Sequence, residues 1–177
     1  MRSIGYQPTG GEVTRRAGYG LSAGGVIHPW AALAGTNPVR EDNPNGLTRS
    51  RMIAQYTFGW GIGRYLLDTA GLGLDGQVDP ATGGFDVVYA SGWLVSYEHW
   101  FTEKWLSSVT YSAVQAASNG AQPANTYTGA KYLATNLWWI PIRNLSLGVE
   151  YLWGERKNLD EQRGQANRIN GLVQYNF

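Results

Sequence analysis

Residues 168–177 read Arg168-Ile169-Asn170-Gly171-Leu172-Val173-Gln174-Tyr175-Asn176-Phe177. Ile169, Gly171, Val173, Tyr175 and Phe177 fall on one face. Arg168, Asn170, Leu172, Gln174 and Asn176 fall on the other. Strict period two, apolar against mostly polar, is the mark of a β-strand with one apolar and one wet side. A helical repeat would scatter both sets around an axis.

The pattern recurs upstream. About seven strand-like runs lie at 16–28, 51–65, 87–101, 104–115, 127–140, 145–156 and 167–177. In 145–156, Leu145, Leu147, Val149, Tyr151 and Trp153 alternate with Ser146, Gly148, Glu150, Leu152 and Gly154. In 127–140, Leu133, Thr135, Leu137 and Trp139 alternate with Tyr132, Ala134, Asn136 and Trp138. In 51–65, Met52, Ala54, Tyr56, Phe58, Trp60 and Ile62 alternate with Gln55, Thr57, Gly59, Gly61 and Gly63. Trp93, Val95, Tyr97 and Phe101 oppose Ser96 and Glu98; Trp105, Val109 and Tyr111 oppose Ser108, Thr110 and Ser112. One face is apolar and aromatic at the strand ends, and the other is small and polar. That division fits lipid outside and water inside a closed sheet. The expected fold is all-β, an antiparallel transmembrane β-barrel, with Trp93, Trp139 and Trp153 in its aromatic belts.

Composition agrees. Among 177 residues there are eight Trp, eleven Tyr and 24 Gly, and no Cys. The mean hydropathy is slightly negative, and no run of about 18 apolar residues is present, so no transmembrane helix is expected. A barrel spans the bilayer with only alternate residues facing lipid. The net charge of +1 and scattered Lys and Arg give no basic stripe for nucleic acid. The absence of Cys excludes disulfides and thiolate metal sites. Met1-Arg2-Ser3 leads into polar sequence without the apolar stretch of a signal peptide. The expectation is one domain over 1–177, the C-terminal portion of a barrel whose N-terminal strands and signal peptide lie outside this sequence.

The connections also alternate. Thr102-Glu103-Lys104 and Pro141-Ile142-Arg143-Asn144 are short, whereas 116–126 and 157–166 are longer and polar. Short periplasmic turns and longer outer loops put the C-terminus at the periplasmic rim. Residues 66–86 then form a long outer loop able to fold inward. Segment 29–49, with Asn37-Pro38, Asn43-Pro44 and Asn45-Gly46, is too long for a periplasmic turn and reads as a plug or contact element.

Several segments together resemble the DcaP-like trimeric outer-membrane porin family. They are Gly61-Ile62-Gly63-Arg64-Tyr65, Tyr97-Glu98-His99-Trp100-Phe101 and Asn136-Leu137-Trp138-Trp139-Ile140-Pro141. Further on come Gly148-Val149-Glu150-Tyr151-Leu152-Trp153-Gly154-Glu155-Arg156-Lys157-Asn158, Gln162-Arg163-Gly164-Gln165-Ala166-Asn167-Arg168-Ile169 and Tyr175-Asn176-Phe177. The resemblance implies a barrel of about 16 strands, assembly as a homotrimer, and uptake of small, often anionic, solutes. Seven strands with two free edges do not make such a barrel alone. The longer 29–49 connection departs from the family.

A pore needs wall charge and a constriction rather than a catalyst. The alternation assigns Arg156, Arg168, Glu150, Glu98, Asn136, Asn170 and Gln174 to the water-facing wall. Arg156 and Arg168 form an anion-attracting ladder if they are not absorbed by Glu150, Glu155 or loop acids; Arg suits that role through its permanent charge and planar fork. Strict alternation puts Arg64 on the lipid side at the rim, with a bulge turning it inward to the mouth or constriction. Gly59, Gly61, Gly63, Gly148 and Gly154 leave room for water or for a packed loop. Val173, Tyr175 and Phe177 resemble the terminal signal read by the barrel-assembly machinery. Outer-membrane lipid and lipopolysaccharide are the expected surroundings.

Catalysis is not expected. His28 and His99 are the two histidines. His99 sits in an aromatic context without an evident Ser partner for a nucleophilic pair. Gly71-Leu72-Gly73-Leu74-Asp75-Gly76 matches a dinucleotide pattern, but no helix follows to hold phosphate. Asp68, Asp75, Asp79 and Asp86 lack the spacing of an EF-hand loop. No cofactor or metal is expected. The reading is an outer-membrane porin passing small polar solutes, anionic ones among them as the resemblance implies. The alternatives are a closed barrel acting through its loops, and a soluble β-sandwich.

Overall fold

The computed structural model describes residues 1–37, 46–118 and 122–177. It is mostly antiparallel sheet. The strands are β1 (Arg2–Tyr6), β2 (Thr14–Ile27), β3 (Arg51–Trp60), β4 (Gly76–Val78), β5 (Phe85–Val87), β6 (Tyr89–Trp100), β7 (Trp105–Ala116), β8 (Tyr127–Ile142), β9 (Leu145–Asn158) and β10 (Arg163–Tyr175). One short helix, α1 (Pro29–Ala34), follows β2. Eight strands form one open sheet in the order β1-β2-β3-β6-β7-β8-β9-β10, and β4 and β5 pair separately. No helix among the described residues is long and apolar enough to cross a membrane, which says nothing about crossing by strands.

The sheet is an open segment of barrel wall. Each neighbour is the next long strand in sequence, paired antiparallel. Alternation therefore carries across the sheet, with register shifts on the β8–β9 pair between Tyr127 and Gly129 and between Trp139 and Ile142. One face collects Met52, Tyr56, Trp93, Val95, Trp105, Val109, Leu137, Trp139, Val149, Tyr151, Ile169 and Val173, all exposed. Its rings pair between strands, as in Trp105 with Trp139 and Trp93 with Tyr111, with centroids 5.9 and 5.5 Å apart. Large apolar groups turned outward over a whole sheet face are the reverse of a soluble core.

Several boundaries differ from the sequence reading. An eighth strand, β1, pairs with β2 and buries Ile4; five residues beside a Gly-rich partner carry too little alternation to show. The run expected over 51–65 stops at Trp60. Gly61 turns to φ +67 and its N–H reaches the Val88 carbonyl at 2.7 Å, which ends the ladder. Glycine enters that backbone region without steric cost. The run expected over 167–177 starts at Arg163 and ends at Tyr175. The connection read as long over 157–166 is therefore a tight link over 159–162, closed by the Asn158 N–H on the Gln162 carbonyl at 3.0 Å. Pro141, read as turn, lies within β8 at a register shift between Trp139 and Ile142, where a missing N–H is tolerated.

Residues 61–88 connect β3 to β6. They fold back over the small, polar face. Ile62, Leu66, Leu74 and Val88 pack with Ala90, Val114, Ala116 and Tyr127 of the wall into the main buried cluster. Thr69, about 1% exposed, donates from its hydroxyl to the Gly63 carbonyl and contacts that of Leu66, pinning the loop. The Arg2 guanidinium meets Asp75 at 2.8 Å, and Tyr6 stacks on Phe85 at 5.6 Å, tying the loop to the β1–β2 hairpin. The inward fold expected of this loop is the arrangement found. Of segment 29–49, α1 and a 3₁₀ turn (Gly46–Arg49) are described; Pro38, Asn43, Pro44 and Asn45 lie outside the described residues.

Candidate functional site

The polar face is organised by register. Arg51, Glu98, Ser108, Asn136, Glu150 and Asn170 stand directly opposite one another on six successive strands. They form a polar row across the wall. The Arg51 guanidinium donates to Glu98 at 3.0 Å, and the Trp100 indole N–H donates to the other oxygen of that carboxylate at 3.0 Å. The Asn136 amide donates to the Ser108 hydroxyl at 2.8 Å and accepts the Ser108 N–H at 2.9 Å. The Asn170 amide donates to Glu150 at 3.0 Å. Directed partners of this kind hold side chains in place on an otherwise wet surface.

Further rows run beside it. The Ser96 and Thr110 hydroxyls lie 2.7 Å apart, as do those of Ser22 and Thr57, and the Gln55 amide donates to Ser22 at 3.0 Å. The face is thus hydroxyl- and amide-rich over most of the sheet.

Arg168 donates to Asn170 at 2.6 Å. Arg156 donates to Asn158 at 2.8 Å, to the Asn125 carbonyl at 3.3 Å, and lies over the Tyr127 ring. Among the described residues neither arginine forms an ion pair with Glu150 or Glu155. Glu155 faces the other way, toward Arg163 and Lys131. Gln174 donates to Asn176 at 3.2 Å.

Arg64 is on no strand. It lies in a 3₁₀ turn (Gly63–Tyr65) of the 61–88 loop, with its N–H on Asp75 at 3.1 Å. Neither the lipid-side placement nor the bulge expected for it applies, because β3 has already ended. Ile62, read as outward, is 5% exposed beneath the loop for the same reason.

The loop brings an acid to the wall. Asp68, Tyr132, Gly154, Arg156 and Ala166 line one cavity of about 390 Å³. A neighbouring cavity of about 520 Å³ lies under the loop between Tyr65, Leu66, Asp68, Thr110, Ser112 and Tyr132. The alternation over 132–139 already sets Tyr132 on this face, though not among the lining residues singled out, and the sequence reading keeps Asp68 in the loop. It also passed over Arg51, which the alternation of Met52 and Ala54 already turns to the polar side.

The glycines serve packing. A Cβ on Gly148 would lie 2.7 Å from the Trp138 ring, so Gly148 makes room for an indole against the polar wall. One on Gly63 would meet the Leu74 carbonyl at 2.9 Å within the loop.

On the aromatic face His99 does have a partner. Its Nδ1 lies 2.9 Å from the Tyr97 hydroxyl, which also accepts the Trp30 indole N–H at 2.8 Å. Ser107 stands opposite His99 in register, but its hydroxyl donates to the Asn136 carbonyl. Among the described residues no group of three or more His, Asp or Glu is placed to hold a metal ion. Val173, Tyr175 and Phe177 are exposed on the aromatic side, the last two with rings 5.4 Å apart.

Residues 90–177, which hold β7 to β10 and nearly all of β6, match the family model described as DcaP outer membrane protein. Over those residues the chain is DcaP-like. Its fold is also similar to the solved outer membrane channel DcaP of Acinetobacter baumannii, with a TM-score of 0.70 at 17% identity. That match covers 94% of this chain and 42% of the channel, so the chain spans less than half of the solved protein. No curated protein matches the chain. The DcaP-matching half contains five of the six residues of the polar row, and the loop that covers the wall precedes it.

Proposed function

We propose that this chain supplies wall and constriction to an outer-membrane porin through which small polar solutes, anionic ones by preference, diffuse passively. The observation that carries the reading is the division of one sheet into an aromatic, exposed face and a hydrogen-bonded polar face with a loop folded onto it. Lipid takes the first and water the second. Closure of two free sheet edges in a bilayer requires further strands, so the chain is read as the C-terminal portion of a larger barrel. The C-terminus then stands at the periplasmic rim. Likeness to a DcaP channel favours a homotrimer, and Val173, Tyr175 and Phe177 are the segment offered to the assembly machinery.

Anion preference rests on charge that the wall does not cancel. Glu98 is paired with Arg51, and Glu150, held by a neutral amide, keeps its charge, but Arg156 and Arg168 both face the polar side without an ion pair among the described residues and outnumber it. Arg64 adds a cation on the loop, and Asp68 opposes Arg156 across the cavity. Such a transverse arrangement orients polar solutes and admits anions near the arginines.

Planar-bilayer conductance of the complete barrel to which this chain is read as contributing, measured across a salt gradient, tests this. Stable stepwise currents with an anion-selective reversal potential are expected, moving toward cation preference in R156Q/R168Q. Folded protein that stays silent, with its loop acting at the surface, would support the closed-barrel reading instead. Cation selectivity unchanged by the substitutions would refute the arginine assignment.

A further inference from the structure

The aromatic face does not stay apolar to its end. On β9 it runs Leu147, Val149, Tyr151, Trp153 and then turns to Glu155 and Lys157. Register sets Lys131 opposite Glu155 and Glu155 opposite Gln165, with Lys157 between Gly129 and Arg163. Four charged groups from three strands therefore share one patch at the end of the sheet away from the short β8–β9 turn. A tilted strand crosses the hydrocarbon core in about 9–11 residues, and 145–153 covers that span. The patch lies at headgroup depth, immediately beyond Trp153.

Its geometry is built. Glu155 is about 9% exposed, although it sits on the side that faces outward. It accepts the Arg163 guanidinium at 3.3 Å and the Gln165 amide at 3.0 Å, and forms an ion pair with the Lys131 ammonium at 3.9 Å. One buried carboxylate thus positions two cations whose remaining donors are about half exposed. Lys157 pairs with Glu161, itself largely exposed, at 2.7 Å, a solvent pair of the kind that contributes little. Three cations against two carboxylates leave one positive charge uncompensated. Between them lies a groove of about 340 Å³ lined by Gln115, Gly129, Lys131, Glu155, Lys157 and Arg163. Gly129, opposite Lys157, lets β8 lie close to β7, since a Cβ there would meet the Val114 carbonyl at 2.9 Å.

We infer that Lys131, Lys157 and Arg163 form a binding site for a phosphorylated lipid headgroup on the outside of the wall. The inference rests on the reading that the aromatic face meets lipid. Arginine offers phosphate a planar fork and lysine a point charge. Leu133, Val149 and Trp153, continuous with the groove, supply the apolar surface for acyl chains. A free phosphate ion would use the cations but not that surface, so the lipid is the ligand favoured.

Native mass spectrometry of the folded, heat-modifiable barrel that contains this chain, in detergent, tests this, with diphosphorylated lipid A and the same lipid dephosphorylated as probes. The phosphorylated lipid is expected to be retained about tenfold more, roughly 1.4 kcal/mol. K131Q/K157Q/R163Q should bring it down to the dephosphorylated level. The single change K157Q, which breaks only an exposed pair, should give part of that loss and decides the matter if the triple variant does not fold. Equal retention of the two lipids, or no effect of K157Q, would overturn the site. Displacement of bound lipid by millimolar inorganic phosphate would reassign it to the free ion. A chain that never becomes heat-modifiable would instead count against the outer-membrane reading itself.

Discussion

Arg168 and Glu150 are joined through an amide rather than to each other. The guanidinium donates to Asn170 at 2.6 Å, and Asn170 donates in turn to Glu150 at 3.0 Å. An amide carries both lone pairs and protons, so it satisfies a cation and an anion at once. Asn170 therefore holds Arg168 in position without cancelling its charge.

Replacing that charge should register in selectivity. A unit charge contributes on the order of 1 kcal/mol at about 4 Å in water. R168Q should thus lower the anion-to-cation permeability ratio by about fivefold at low salt, with single-channel conductance little changed. N170D should do the same with Arg168 intact, by converting the amide bridge into an ion pair. Reversal potentials under a salt gradient measure both.

The inward loop is held by few groups, and Thr69 is the most buried of them. Thr69→Val keeps the shape and removes the hydroxyl that serves the Gly63 and Leu66 carbonyls. Leaving buried carbonyls without a donor costs about 1–3 kcal/mol. The loop should loosen while the sheet stays intact. Larger and noisier conductance with unchanged heat modifiability is the expected result.

The two faces should tolerate charge differently. Val149 is about half exposed on the aromatic side, and Glu150 is its polar neighbour. An arginine on a lipid-facing strand costs about 2–4 kcal/mol near the bilayer middle. Val149→Arg should therefore lose that much in a urea titration of folding in liposomes. Glu150→Arg should fold nearly as well as the unchanged chain.

The loop hairpin has a pH limit of known sign. The Ala81 N–H and then the Thr82 hydroxyl, both bonded to Asp79, hold its carboxyl below the ordinary aspartate value of about 3.9. A depressed folded-state pKa contributes order that is fully present above the unfolded value and is lost as pH falls through the folded one. The turn around Asp79 should therefore stay formed down through the usual carboxylate range and loosen only below it. Asp79→Asn should remove that dependence. Carboxyl chemical shifts followed through the acid titration report it.

Legibility in the sequence followed the strength of alternation. β10 and most of β9 were readable because Ile169, Val173, Leu147 and Val149 mark every second position. The ends were not. Glu155, Lys157, Arg163 and Gln165 are polar on the side where lipid was expected, so strand continuing past the apolar band looked like loop. Arg64 and Ile62 were misplaced by one residue, Gly61, whose positive φ ends β3; alternation holds no trace of a backbone torsion. Asp68 could not be tied to Arg156 at all. Their place on one cavity depends on the packing of Leu66 and Leu74 against Val114 and Ala116, a contact between distant segments that no local period encodes.

The division of the wall into lipid and water sides is tested most directly by cysteine accessibility, since the chain has no cysteine of its own. Single substitutions Leu147→Cys, Val149→Cys, Asn136→Cys, Glu150→Cys and Asn170→Cys are made in this chain within the complete barrel folded into liposomes. The first two should resist a membrane-impermeant maleimide and, once labelled with a fluorophore, be quenched by brominated lipid. The last three should react with the aqueous reagent and escape quenching. Equal aqueous labelling at Val149 and Glu150, or quenching at Asn136, Glu150 and Asn170, would contradict a wall with lipid on one face and water on the other.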